Sequence, residues 1–320
     1  MSRSLLRDVF IYDLRNLDSL LGGLTATPGI TNANFYTMVE IIIVTSSPFF
    51  LQNNNGEEVL RDAQPLSPGN YFVVVDGTVQ LSDEIVYVRL MSVCTGSGVG
   101  SFTRQVRERD GGCVVSKVAN TLAMADLWKG FEAAHIFPIA YHNQWQENNF
   151  GRWIDVPPAR GGSINSVQNG ILLRADLHQQ FDSYIFSINP DDGYKIVFFH
   201  NAINRDLAGT FLDSELLDDR RCPPPELVRW HFRQAVLANM RGAGEPVFEH
   251  DFPPGSDMLG DIREGPMAAE RMEFELFGRL ASYVDGVGEG GVGDEDESEG
   301  DEYSSGHDED DSDNDVTSKG

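Results

Sequence analysis

Cysteine is scarce in this sequence, whose 320 residues include only Cys94, Cys113 and Cys222. No two of them form a C-x-x-C pair, which argues against a zinc ribbon or a thiolate knuckle. An odd and sparse cysteine count is also more typical of a reducing compartment than of a secreted disulfide framework.

Long apolar runs are lacking as well. The most apolar run, Met38 to Val44, contains Glu40 and is far too short to span a bilayer. The first eight residues contain no long apolar core followed by small residues, so they do not have the pattern of a signal peptide. We therefore expect a soluble intracellular protein, cytoplasmic or nuclear, although no dense Lys/Arg cluster of the nuclear-import type is present.

Positive charge is in short supply, but unevenly so. The chain has 24 Lys and Arg against 50 Asp and Glu, a net charge of -26. Residues 285–320 alone carry -14, whereas the segment from Arg104 to His200 is almost neutral, with nine basic and ten acidic residues. The charge of the whole chain therefore does not exclude a nucleic-acid partner for the central segment. The tail, rich in Gly, Asp, Glu and Ser, is expected to be disordered.

The patterns of apolar residues predict an α+β protein with four regions. Residues 1–103 are predicted as a small β-rich domain, a sandwich or barrel-like platform without a phosphate loop. A Gly/Ser linker, Thr95 to Ser101, separates it from a central domain over residues 104–200. A helical C-terminal extension over residues 201–284 and the disordered acidic tail over residues 285–320 complete the chain.

Several local predictions follow from turn signals and periodicity. Strands are predicted at Arg7–Asp13 and Tyr71–Val75, with Asp76 and Gly77 forming a hairpin turn into Val79–Leu81. Phe35–Thr45 fits either a strand or a buried helix. Two further strands are expected around the turn at Asn189–Gly193, and a helix is expected to begin after Pro223–Pro225.

The chemistry-bearing residues lie in the central segment. His178 and Asp182 are four residues apart, so on a helix both side chains leave the same face and can converge on one ion. His135 ends a short apolar run before Pro138, and its unperturbed pKa of about 6.5 suits a general base. Asn169 opens a second apolar run and could hydrogen-bond to the loop that carries His135.

These residues resemble a known family in their order and spacing. Ala134-His135-Ile136-x-Pro138, Asn169-Gly170-Ile171-Leu172-Leu173 and Leu177-His178-x-x-Phe181-Asp182 are similar to the HNH endonucleases, most of all to a subgroup seen in uncharacterised fungal proteins. The resemblance implies a central ββα-metal core. It also implies that His135 is the general base, Asn169 the structural Asn and His178 a metal ligand, with Asp182 where related nucleases have a further ligand. The ion would be Mg²⁺ first, with Mn²⁺ or Zn²⁺ as alternatives.

One position departs from the family pattern. Many HNH nucleases have an Asp or a His directly before the first His, where this chain has Ala134. Glu132 could approach the ion instead, but residues 132 and 135 are three apart and should lie on opposite faces of a strand. Asp176 is a weaker spare ligand, and His142 is expected to be an exposed loop residue.

Five arginines are candidates for contacts with a sugar-phosphate backbone: Arg104, Arg107, Arg109, Arg152 and Arg160. The first three lie on a predicted helix, Phe102 to Asp110, whose alternative interpretation is a solvated basic face. The last two lie in a Gly- and Pro-rich stretch that also contains Trp153. The alternative interpretation of Trp153 is that it packs in the protein core.

Two hypotheses follow for function. The first is a metal-dependent endonuclease acting on nucleic acid, DNA rather than RNA. The second is a catalytically weak or inactive HNH-fold binding or scaffold protein, whose acidic tail would engage basic protein partners. The oligomeric state and the sequence specificity are not encoded in any pattern that we find.

Overall fold

The computed structural model describes residues 3–87, 97–159, 161–201 and 203–242. The predicted acidic tail, residues 243–284 of the predicted helical extension and Arg160 lie outside these residues. The chain mixes helices with strands, and short 3-10 turns connect them. The strands are β1 (Val9–Asp13), β2 (Asn16–Leu24), β3 (Ile43–Thr45), β4 (Phe49–Asn53), β5 (Gly69–Val75), β6 (Val79–Leu81), β7 (Phe131–His135), β8 (Gly170–Arg174), β9 (Phe186–Asn189) and β10 (Lys195–Phe198). The helices are α1 (Asn32–Ile42), α2 (Ser97–Asp110), α3 (His142–Glu147), α4 (Ala175–Asp182), α5 (Ser214–Asp218) and α6 (Pro225–Met240).

The N-terminal part is a four-stranded mixed sheet with helices rather than a sandwich or barrel. Its strand order is β2-β1-β5-β4, in which β1 and β5 are parallel and the other pairs are antiparallel. Buried side chains of these strands pack with those of α1 and α6, so helices complete the core in place of a second sheet. The predicted sandwich or barrel-like platform is therefore wrong.

Two local predictions in this region need correction. The ambiguous run Phe35–Thr45 contains most of α1 and then β3, so each alternative holds for a part of it; α1 begins at a capping box between Thr31 and Asn34. The predicted hairpin at Asp76 and Gly77 does not form, because β6 pairs antiparallel with β3 and not with β5. The turn instead leads from one sheet to another.

The central segment is organised around β7 and β8, which pair antiparallel with His135 opposite Gly170. The helices α2 and α4 pack against opposite faces of this pair: Ala134 lies in the cluster that contains Leu177 of α4, and Ala133 packs with Phe102 of α2. Ser97 to Ser101 belong to α2 rather than to a linker. Burial of one face of α2 offsets the low helix propensity of its glycines.

The predicted pair of strands β9 and β10 forms as an antiparallel ladder and is buried on both faces. Phe186 and Ile196 face the core of the central segment, whereas Val197 belongs to the core of the N-terminal sheet. The predicted helix after the prolines forms as α6, and it also contributes to both cores. The N-terminal sheet and the central segment are therefore packed around shared elements.

No helix in the described part of the chain has the length and apolarity needed to cross a membrane.

Candidate active site

The candidate site lies where α4 crosses the face of β7. Leu177 and Phe181 are buried in the core of the central segment and fix α4 against the strand pair. The backbone N–H of Ala175 donates to the carbonyl of Gly130, which ties the start of α4 to the residue before β7. His178 and Asp182, one helical turn apart, are thereby presented on the side of α4 next to Glu132.

His178 lies between two carboxylates. Its Nδ1 is 2.7 Å from Oε2 of Glu132, and its Nε2 is 3.2 Å from Oδ2 of Asp182. The side chains of His178, Asp182 and Glu132 are 23%, 31% and 50% exposed, so solvent reaches the cluster. A cation can therefore reach the two carboxylates from the surface.

The electrostatics of the cluster favour positive charge. Burial lowers the pKa of His178, but the hydrogen bonds and negative charges of Asp182 and Glu132 outweigh it, so the pKa is raised above its ordinary value of 6.5. The same two carboxylates that stabilise an imidazolium would stabilise a metal cation in its place.

Glu132 is the residue whose importance sequence reasoning underestimated. The strand geometry was predicted correctly, since residues 132 and 135 do lie on opposite faces of β7. The consequence was missed, because Glu132 shares its face with α4 and contacts His178, which is 46 residues away in sequence. No local pattern links two residues at that separation.

His135 lies on the other side of the strand pair. Its ring stacks on that of Phe102 of α2, with centroids 3.7 Å apart and an interplanar angle of 11°. Gly170, opposite His135, has no side chain, and the space where one would be is filled by Phe102. The sequence led us to expect that the rings of His135 and His178 meet around one point, but the structure does not bring them together.

Asn169 holds the chain that follows His135. It is fully buried, and its Oδ1 accepts a hydrogen bond from the N–H of Phe137 at 2.8 Å. Its Nδ2 donates to the carbonyls of Phe137 and Ile164, and its own carbonyl accepts from the N–H of Ile136. Asn169 therefore fixes the exit of β7 and the start of β8 relative to each other.

The other candidate ligands are engaged elsewhere. Ala134 is fully buried in the core, so nothing at that position reaches the cluster. Asp176 accepts hydrogen bonds from Arg174 and Asn204 and is not a spare ligand. His142 begins α3 rather than lying in a loop, and its Nε2 is 2.8 Å from Nε2 of Gln146.

The candidate arginines have different environments. Arg104 is exposed and lies 3.9 Å from Glu108, and Arg107 lies over the ring of Trp128. Arg152 is exposed and donates to carbonyls at the end of α3. The Arg109 side chain is fully buried, paired with Asp110 and hydrogen-bonded to the carbonyls of residues 167, 170 and 221. Arg109 is therefore a structural clamp that no phosphate can reach.

Comparison with protein families identifies the segment that holds this cluster. Residues 113–189 match the family model described as HNH endonuclease, and residues 6–80 match a domain of unknown function, DUF8573. The comparisons with curated proteins and with solved structures gave no match. The match confirms the resemblance of the central segment to HNH endonucleases and indicates a nuclease-type function. Proteins of this class act on nucleic acids and generally use a divalent metal.

Proposed function

We propose that this protein is a metal-dependent nuclease that hydrolyses phosphodiester bonds in nucleic acid, DNA in preference to RNA. The observation that carries the proposal is the contact of His178 with Glu132 and Asp182 inside the segment that matches the HNH family. We infer that β7, β8 and α4 form the ββα core that the resemblance implies, an inference supported by the antiparallel pairing of β7 with β8 and by α4 directly after β8.

The residues present fit a divalent ion with an incomplete protein shell. In the part of the chain that the structure describes, no three His, Cys, Asp or Glu side chains are grouped as metal ligands. Two groups suffice for Mg²⁺, which usually keeps several waters and binds phosphate oxygens as well. Adjacent octahedral ligands at about 2.1 Å from an ion lie roughly 3.0 Å apart. The 3.2 Å between Nε2 of His178 and Oδ2 of Asp182 is close to that separation.

Glu132 has a different part in this proposal. It accepts a hydrogen bond from Nδ1 of His178, which selects the tautomer whose Nε2 carries the free lone pair. The ion would be held by Nε2 of His178 and by Asp182, with Mn²⁺ or Zn²⁺ as alternatives to Mg²⁺. When bound, the ion would stabilise the negative charge that develops on the phosphate and the leaving oxygen.

His135 is the proposed general base, which accepts a proton from the attacking water. His135 and Glu132 lie on opposite faces of β7, and the ion would lie on the face of Glu132. A phosphodiester that contacts both the ion and His135 would therefore have to pass around the edge of β7. Among the described residues, β8 is the only strand that pairs with β7, so no further strand occupies that edge. Asn169 fixes the loop after His135 and so keeps the strand end in place.

Plasmid nicking tests the proposal. Purified full-length protein should nick supercoiled DNA with Mg²⁺ or Mn²⁺ and lose the activity in EDTA. His178→Ala should abolish nicking through loss of the ion, and His135→Ala should lower it by about 100-fold or more through loss of the base. His142→Ala is the matched control, because His142 is also a partly exposed imidazole but has no part in the proposed mechanism. Absence of nicking by the wild type with any divalent ion would overturn the proposal.

A catalytically weak or inactive HNH-fold binding or scaffold protein is the second candidate. It is favoured by the buried Ala134 in place of a usual ligand and by the stacking of His135 on Phe102. Calorimetric titration separates the two candidates. Binding of DNA without detectable binding of Mg²⁺ or Mn²⁺, alone or with the DNA, would favour the second candidate.

A further inference from the structure

The segment between α2 and β7 exposes several apolar side chains to solvent. We call residues 117–129 the apolar loop. Met124 is fully exposed, and three other large apolar residues of the loop are 45–56% exposed. These three are Val118, Leu122 and Leu127. Single exposed apolar residues are common, but four within ten consecutive positions concentrate exposed apolar surface in one loop, as is typical of interaction surfaces.

The apolar loop is held in a defined conformation. Asn120 accepts a hydrogen bond from the N–H of Leu122 at 3.0 Å and donates to the carbonyl of Leu127 at 2.8 Å, so it bridges the two sides of the loop. Trp128 packs against the core beneath α2 and donates to Asp126. The tip is therefore presented outward by an internal scaffold, at a low entropic cost of binding.

The position and charge of the loop indicate its partner. It leads directly into β7, and the carbonyl of Gly130 is bonded to the start of α4, so it adjoins the elements that carry Glu132 and His178. Lys117 and Lys129 flank the apolar tip, and Arg107 lies over Trp128 at its base. Its one acidic residue is Asp126, so its two lysines leave the loop with a net charge of +1 in a chain of net charge -26.

We propose that the apolar loop inserts into double-stranded nucleic acid, with Leu122, Met124 and Leu127 wedged at a base step and Lys117 and Lys129 on the phosphates. Apolar wedges of this kind partly unstack a base step and bend the duplex. Unbranched Met is suited to this role because it adapts to the irregular surface of an opened step. This inference rests on the proposed nuclease function and adds the way in which the substrate is held.

Binding and bending of a short fluorescent DNA duplex by the full-length protein, in EDTA to prevent cleavage, test the inference. Replacing Leu122, Met124 and Leu127 together by Ser should weaken binding by about tenfold or more. The slope of log affinity against log salt should stay unchanged, because no ionic contact is lost. The change in energy transfer between dyes at the duplex ends should also disappear. Leu17→Ser and Leu60→Ser are matched controls, since both residues are comparably exposed elsewhere on the surface.

The two lysines give the complementary result. Lys117→Ala with Lys129→Ala should weaken binding and also reduce the salt slope by about two. The inference would be overturned if the triple serine variant bound and bent DNA like the wild type. It would also be overturned if the sedimentation of the variant changed without a change in DNA affinity, because that result would assign the loop to protein contacts. Nicking by the wild type tests the proposed nuclease function separately, so failure of that function can be distinguished from failure of the inference about the apolar loop.

Discussion

At the residue scale, Glu132 and His178 form the contact on which the proposed metal site depends. In the proposal Glu132 orients the imidazole rather than binding the ion, so Glu132→Gln should weaken Mn²⁺ binding by about 10- to 100-fold without abolishing it. The amide oxygen of Gln can still accept from Nδ1, but its dipole holds the ring less firmly than a carboxylate does. Titration calorimetry with the full-length protein measures the change.

The matched control is Glu57→Gln, which alters an exposed carboxylate bonded to Asn53 in the N-terminal part. Unchanged affinity in Glu132→Gln would show that the 2.7 Å contact has no effect on the ion. Complete loss of binding would show instead that Glu132 is itself a ligand.

Residue patterns predicted part of this side-chain cluster. The spacing of His178 and Asp182 was sufficient to place both near one point, because helical periodicity is a local property. The contact with Glu132 joins a strand to a helix across a long insert, so only the folded chain shows it. Arg109 gives the opposite case: its helix was predicted, but its burial depends on carbonyls of residues 167, 170 and 221, which come from elsewhere in the sequence.

At the element scale, α2 and the β7–β8 pair meet at Gly170. A Cβ at this position would lie 2.4 Å from Cζ of Phe102, and the backbone there is extended, so the obstacle is purely steric. Gly170→Ala should therefore push α2 away and lower the free energy of unfolding by about 1–3 kcal/mol, measured by urea denaturation. Phe102→Leu in the same chain should recover part of the loss.

A glycine within α2 itself provides the control. A Cβ added at Gly100 would meet no heavy atom within 4 Å, so Gly100→Ala should be neutral or stabilising by up to about 1 kcal/mol. Equal stability of Gly170→Ala and the wild type would contradict the packing of α2 against the strand pair.

The elements themselves were predictable where local signals decide them. The prolines before α6 and the turn between β9 and β10 both gave correct elements. Phe35–Thr45 stayed ambiguous because a short apolar run fits a buried helix and a strand equally well. The false hairpin at Asp76 and Gly77 has a related cause, because turn residues do not specify which strand becomes the partner.

At the scale of the whole molecule, a polar contact joins α1 to the β9–β10 turn. Nδ2 of Asn34 donates to Oδ2 of Asp192 at 2.8 Å, and the buried Lys195 forms an ion pair with the same carboxylate. Burial raises the pKa of Asp192, but the hydrogen bonds from Lys195 and Asn34 outweigh it, so the pKa lies below its ordinary value of 3.8.

A carboxyl whose pKa is lowered on folding stabilises the fold above its unfolded pKa and loses that contribution as the pH falls through its folded pKa. Asp192→Asn should therefore lower the free energy of unfolding by about 1–2 kcal/mol at pH 7, and the difference from the wild type should shrink below pH 3.8. Asp191→Asn is the neighbouring control, because its pair with Arg229 is about half-exposed and should contribute less than about 1 kcal/mol. A difference that is constant with pH would contradict the assigned ionisation.

Crystals soaked in Mn²⁺, examined by anomalous diffraction, test the central claim most directly. The account predicts one peak within about 2.3 Å of both Nε2 of His178 and a carboxylate oxygen of Asp182, with Glu132 still bonded to Nδ1 and the peak absent in His178→Ala. A peak at another position would contradict it, as would the absence of a peak between Nε2 of His178 and Oδ2 of Asp182 at saturating Mn²⁺.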